Sequence, residues 1–157
     1  MTKLLFIFLL LSASSMASDC RPNQDNCNAY LCVEAQKSCG VKGYPIGFGY
    51  KYCQKFDRKK KKFSKDGRAW IKRVRLCLQE KIINSPGLNC KQYRGASITQ
   101  HADCYADTGY CSLSKRDRRK VTGVVGWKAV ATPFYVTKTW KQLRKRCRDK
   151  GHEIDDL

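Results

Sequence analysis

Apolar residues recur at helical spacing along most of the chain, and most clearly between residues 64 and 84. Trp70, Val74 and Cys77 stand at i, i+4 and i+7; Ile71, Val74, Leu78 and Ile82 stand at i, i+3, i+7 and i+11. That is the stripe of an amphipathic helix. Cys77 lies within the stripe, so it faces the core, where it can be tied to a neighbouring helix. Ser64 is suited to cap the helix start, and Asp66 places a negative charge in the first turn. Asn84-Ser85-Pro86-Gly87 stops it.

The same reasoning predicts the elements on either side. Cys27, Tyr30, Leu31 and Ala35 predict a short helix from Cys27 to Lys37, with Gly40 as its C-terminal cap. Gly40 to Gly49 holds four glycines and Pro45 in ten residues and predicts a loop. Tyr50 to Lys62 predicts a helix with Cys53 and Phe56 inward. Cys90 to Thr108 predicts another, with Cys90 and Cys104 close to four turns apart on one face and Gly109 as its end. Ser114 to Val125 predicts a helix opened by Ser114 and Asp117 as a capping box, although Val121, Val124, Val125 and Val130 suit a strand as well. Pro133 breaks the chain, and Thr137 to Lys150 closes it as a helix with Trp140, Leu143 and Cys147 on one face. No repeat stands out. The expected class is all-α, a small disulfide-rich domain of about five to six helices.

The beginning of the chain has a different pattern. Lys3 is followed by eight consecutive apolar residues, Leu4 to Leu11, and then by the small residues Ser15 and Ala17. Residues 1–17 therefore predict a secretory signal peptide, with an apolar run too short to span a membrane. Residues 18–157 have the length of one domain.

Cysteine changes the picture next. Cys20, Cys27, Cys32, Cys39, Cys53, Cys77, Cys90, Cys104, Cys111 and Cys147 all follow the leader. An even number in an exported chain predicts five disulfides. Zinc is not expected, because no CxxC pair occurs and His101 and His152 are the only histidines. Ten cysteines admit hundreds of pairings, and spacing alone selects none.

Charge narrows the function. Lys and Arg number 32 against 13 Asp and Glu, a net +19. The excess is clustered in Arg58-Lys59-Lys60-Lys61-Lys62, in Lys115, Arg116, Arg118, Arg119 and Lys120, and in Arg144-Lys145-Arg146 with Arg148. Such runs are either solvated helix faces or a site for a polyanion: sulfated glycan, anionic lipid, nucleic acid or an acidic protein. The first two clusters are the candidate polyanion site.

Catalytic constellations are sparse. His101-Ala102-Asp103-Cys104-Tyr105 resembles the H-D-x-C-Y helix of secreted phospholipases A2, where the histidine activates water and the adjacent aspartate holds calcium. Here Ala102 stands in place of that aspartate and Asp103 falls on a different helix face, which leaves His101 as a surface or cap residue. The glycines of residues 40–49 lack the GK[ST] ending of a phosphate loop. A ribonuclease needs two converging histidines, and His152 is in the polar tail. Trp70, Trp127 and Trp140 interleave with basic residues, but Trp70 and Trp140 read as core by their spacing, so nucleic acid is not the expected partner. No catalytic residue, cofactor or metal ligand is assigned.

The ordered set of these residues resembles the stanniocalcins, secreted helical glycoprotein hormones linked to calcium and phosphate handling. The resemblance rests on C-x-K-F from Cys53 to Phe56, on F-x-x-x-G-[KR]-A-[FW]-[VI]-K from Phe63 to Lys72, on Cys77, on C-Y-x5-C-S-[LI] from Cys104 to Leu113, and on the order and gaps of all ten cysteines. It implies the pairs Cys20–Cys32, Cys27–Cys53, Cys39–Cys90, Cys77–Cys104 and Cys111–Cys147. The chain departs from the family in ending ten residues after Cys147, in lacking an Asn-x-Ser/Thr acceptor site, in its far more basic charge and in a longer Gly40–Gly49 segment. With the further C-terminal cysteine of the family missing, no covalent dimer is expected. The resulting expectation is a secreted, non-enzymatic, stanniocalcin-like signalling or binding protein with a polyanion-binding surface and an unspecified receptor. The alternative of a different class is a cationic secreted effector or toxin acting on anionic membranes or glycans, followed by a divergent phospholipase-like enzyme.

Overall fold

The structure, a computed structural model, describes residues 20–126 and 133–154. The proposed leader, Trp127 and Val130 lie outside the described residues. Six α-helices are described: α1 (Asn28–Lys37), α2 (Lys51–Lys59), α3 (Lys65–Ile83), α4 (Cys90–Asp107), α5 (Lys115–Val125) and α6 (Pro133–Asp149). No strand occurs among the described residues, so the valines near residue 121 serve a helix.

The long helix α3 is the centre. Ser64 caps it by accepting a hydrogen bond from the Gly67 amide at 3.1 Å. Its stripe is buried: Trp70 is 0% exposed, Ile71 2%, Val74 4% and Ile82 1%. The upper part of this stripe joins Phe56, Phe63, Tyr105, Tyr110, Val121 and Leu143 in one apolar cluster. The lower part joins Tyr30, Val33, Tyr44 and Tyr93 in a second. Helix α6 packs along α4, α4 against α3, α1 against α3, and α2 against α5.

Five disulfides link the chain to itself: Cys20–Cys32, Cys27–Cys53, Cys39–Cys90, Cys77–Cys104 and Cys111–Cys147. These are the partners that the resemblance implies. None of the ten cysteines is free. Such a set points to folding in an oxidising compartment. Among the described residues no helix is long and apolar enough to cross a membrane.

The arm before α1 is ordered by more than Cys20. Gln79 is fully buried, and its amide bonds the Asn23 nitrogen at 3.0 Å, the Asn23 carbonyl at 2.9 Å and the Asn26 carbonyl at 2.8 Å. Arg75 adds a bond to the Gln24 carbonyl at 2.9 Å.

Several expected boundaries differ. The loop expected over Gly40–Gly49 contains a π-helical segment, Tyr44–Tyr50, with Pro45 in its first turn. Proline's fixed φ suits a helix start. The glycines there serve close packing: a Cβ on Gly49 would come within 2.4 Å of the Tyr30 ring. Helix α1 is capped at Ser38, which adopts φ 51 while its amide donates to the Glu34 carbonyl at 2.7 Å, so the left-handed step comes before Gly40. Helix α2 begins at Lys51, and Lys60–Lys62 tighten into a 3-10 turn. Pro133 opens α6 instead of breaking the chain, since at a helix start its missing N–H has no partner to lose.

Candidate functional site

The two basic clusters stand more than fifty residues apart in the chain, and the structure brings them together through one buried carboxylate. Asp117, in the first turn of α5, is 1% exposed. It accepts from the Ser64 amide at 3.2 Å, from the Ser64 hydroxyl, and from Lys120 Nζ at 3.1 Å. Lys120 Nζ also donates to the Lys62 carbonyl and lies 5.5 Å over the Phe63 ring. The start of α5 is thereby fastened to the end of the first basic cluster. Gly67 leaves room for the joint, since a Cβ there would lie 2.7 Å from Asp117 Oδ2.

Burial pushes the Asp117 carboxyl up, but the hydrogen bonds from Ser64 and Lys120 outweigh it and hold the group below the ordinary carboxylate value. The capping box expected of Ser114 and Asp117 is thus only half formed. Ser114 Oγ does accept from the Asp117 amide at 3.2 Å, while the Asp117 carboxylate crosses to Ser64 on another helix.

The two helix starts are built alike. Each follows a 3-10 turn, carries an apolar residue and then a capping serine, and sends an arginine back to the apolar residue's carbonyl. Arg68 Nη1 donates to Phe63 O at 2.7 Å, and Arg118 Nη1 donates to Leu113 O at 2.5 Å. The shared signature, [FL]-S-K-x-x-R at Phe63–Arg68 and Leu113–Arg118, is present in the sequence. It is the short repeat that a search for longer periodicity passes over.

The cations of the site divide by task. Lys120 and Arg118 hold the joint and the helix start. Lys60 pairs with Asp57 at 3.1 Å, and Arg58 reaches Gln54 at 3.5 Å. Lys59, Lys61, Lys62, Lys115, Arg116 and Arg119 are exposed and make no ion pair among the described residues. The third cluster is different in kind. Arg146 reaches Asp103 on α4 at 2.5 Å, Lys145 pairs with Asp149 at 2.9 Å and neighbouring Lys150 with Asp107 at 3.0 Å. Much of its charge is matched by carboxylates, two of them on α4.

His101 is half-buried in an aromatic cluster and caps no helix. Its ring meets Phe48 edge-on at 5.4 Å, Tyr105 at 6.0 Å and Tyr44 at 6.1 Å, and it borders a partly open cavity. Its Nδ1 bonds the Ser97 carbonyl at 2.6 Å. Burial holds the imidazole below its usual pKa, with the Ser97 bond opposing the shift. Ala102 is fully buried, and Asp103 is committed to Arg146. His101 and Asp103 therefore serve different neighbours and form no catalytic pair. No group of histidine, cysteine or carboxylate side chains suited to hold a metal occurs among the described residues. No protein-family model matches the chain, and no solved structure matches it.

Proposed function

We propose that the chain is an exported, non-enzymatic binding protein of the stanniocalcin type, and that its joined basic face docks on an extended polyanion such as a sulfated glycan. The observation that carries the polyanion reading is the Asp117–Ser64–Lys120–Lys62 joint. It makes neighbours of two cation clusters that the chain keeps apart, and it uses few of their charges in doing so. Six cations remain for a partner. A polyanion offers charge in an extended array, which is the complement of such a face.

The cysteine pairs, identical to those the resemblance implies, support the family part of the reading. The hormone-like role, tied in that family to calcium and phosphate handling, rests on the cysteine order and motifs alone. The disulfides fit an exported protein.

Salt-gradient elution from immobilised heparin tests the proposal. Exposed charges are screened beyond about 8 Å at 0.15 M salt, so retention must fall as salt rises. Changing Lys59, Lys61 and Lys62 to glutamine lowers the eluting salt, and so does changing Lys115, Arg116 and Arg119. The combined variant loses the most, with the helical circular-dichroism signal unchanged. Elution of a variant at the parent's salt shows that its cluster is only a solvated helix end. Retention on anionic lipid vesicles without retention on heparin replaces the glycan by a membrane surface.

A further inference from the structure

A cavity of about 170 Å³ lies at the seam between the two apolar clusters. The π-helical segment, α3, α4 and α6 all contribute to its wall, and the exposed Lys42 and Arg94 stand among the lining residues. Native cores leave few voids larger than a water molecule. An engineered apolar cavity of about 150 Å³ admits benzene. This one therefore has room for a single aromatic ring or a short acyl chain.

The wall is aromatic, but it also carries polar groups, one of them a buried donor without an acceptor. Tyr30, Tyr44 and Tyr105 are largely buried and line the cavity. Burial pushes these phenols up, helped by Tyr105 at Tyr30, by Tyr30 and Tyr105 at Tyr44 and by Tyr52 at Tyr105, so they remain O–H donors at physiological pH. Arg75 is 6% exposed and lines the same cavity. Its Nη groups go to the Gln24 carbonyl and to Asp57, while its Nε–H is buried with no acceptor. Its partner Asp57 is shared with Lys60. A buried donor left unpaired, as this Nε–H is, is destabilising unless something accepts from it.

We propose that this cavity binds a small monocarboxylate head-first, its carboxylate held by Arg75 and the tyrosine hydroxyls and its apolar body packed against Phe48, His101 and Trp140. A carboxylate brings only acceptors, which suits the phenol hydroxyls and the one unpaired N–H of Arg75. A neutral alcohol supplies one oxygen and no charge. An amine adds a cation beside Arg75. The neutral His101 adds no charge of its own to the wall. This site is separate from the basic face, and the two readings stand or fall independently.

The test is a titration of the full chain with an isosteric series: 3-phenylpropionate, 3-phenylpropanol and 3-phenylpropylamine, followed by calorimetry. The acid binds one to one, the alcohol binds about tenfold more weakly or worse, as expected for hydrogen bonds to a charged group, and the amine does not bind. The double variant Tyr44→Phe with Tyr105→Phe keeps the cavity's shape. It weakens the acid by about tenfold and leaves the alcohol nearly unchanged. Equal binding of acid and alcohol to the unaltered chain overturns the proposal, because the cavity is then only an apolar void. So does the absence of any binding. So does acid binding that is lost in the Lys59, Lys61 and Lys62 variant but kept in the tyrosine variant, because that is attraction to the surface. The comparison of acid with alcohol uses the unaltered chain and holds even if the tyrosine variant fails to fold.

Discussion

The two apolar clusters are held together by different means. The larger one gathers around Trp70 from long helices, whose rings meet closely: Trp70 lies 5.2 Å from Tyr105, 5.6 Å from Tyr110 and 6.1 Å from Phe56. The smaller one gathers around Tyr30 from an arm, a ten-residue helix, a π-helical segment and the ends of longer helices. Its buried members include Cys20, Cys27 and Cys53. Three of the five disulfides close on this side, and Cys77–Cys104 and Cys111–Cys147 close on the other. Where long amphipathic helices supply the apolar area, burial does most of the stabilising. Where short segments supply little, cross-links limit the unfolded chain instead. The strong positive charge opposes compaction in both regions, so neither has stability to spare.

The largest expected effect follows from removing the centre of the larger cluster. Trp70→Ala leaves a void that three aromatic rings cannot fill without shifting. Such substitutions destabilise by about 3–5 kcal/mol, a large part of the 5–15 kcal/mol typical of a domain. Urea unfolding of the oxidised protein measures it. A loss below about 1 kcal/mol would mean that the disulfides, not the packing, hold this side as well, and the contrast between the regions would collapse.

Next in size is a comparison of cross-links. Cys27–Cys53 and Cys111–Cys147 span 26 and 36 residues, so their closure entropies differ by only about 0.3 kcal/mol. Replacing either pair by alanine is expected to cost about 2–4 kcal/mol. Hydrogen exchange separates them. Loss of Cys27–Cys53 speeds exchange in α1 and the π-helical segment while the α3 amides around Trp70 keep their protection. Uniform acceleration through both regions would show one cooperative unit and break the comparison.

The same contrast explains what the sequence disclosed. Long helices carry their period in the chain, and the burial of Trp70, Val74 and Ile82 follows from it. The π-helical segment was hidden by its composition, because glycine and proline read as loop. Yet Tyr44, Phe48 and Tyr52 recur every fourth residue through it, as His101 and Tyr105 do in α4. That spacing was the available sign that aromatic side chains converge there. The cavity itself is assembled from distant segments, so no local pattern encodes it. The basic clusters were legible as charge, but their junction was not. Asp117 sits where a local cap is expected, and only tertiary packing turns its carboxylate toward Ser64.

The smallest effect belongs to the seam where the clusters meet. His101 is held below its usual pKa by burial among Tyr44, Phe48 and Tyr105. In the unfolded chain a histidine takes up its proton near pH 6.5; in the fold the proton is refused until lower pH. The unfolded state therefore binds more protons in that interval, and stability falls as pH falls. The contribution of His101 is fully present above about pH 6.5 and is lost as pH drops from there toward its folded-state value. Asp57 and Asp117 are held below the ordinary carboxylate range and lose their contributions only at still lower pH. His152, the other histidine, is exposed in the tail. Urea midpoints measured from pH 7.5 to 5 should thus decline in the parent and flatten in His101→Phe, which keeps a ring in the wall and removes the titration. A decline of the same steepness in His101→Phe would assign the slope elsewhere and show that the seam accommodates an imidazolium without strain on either cluster.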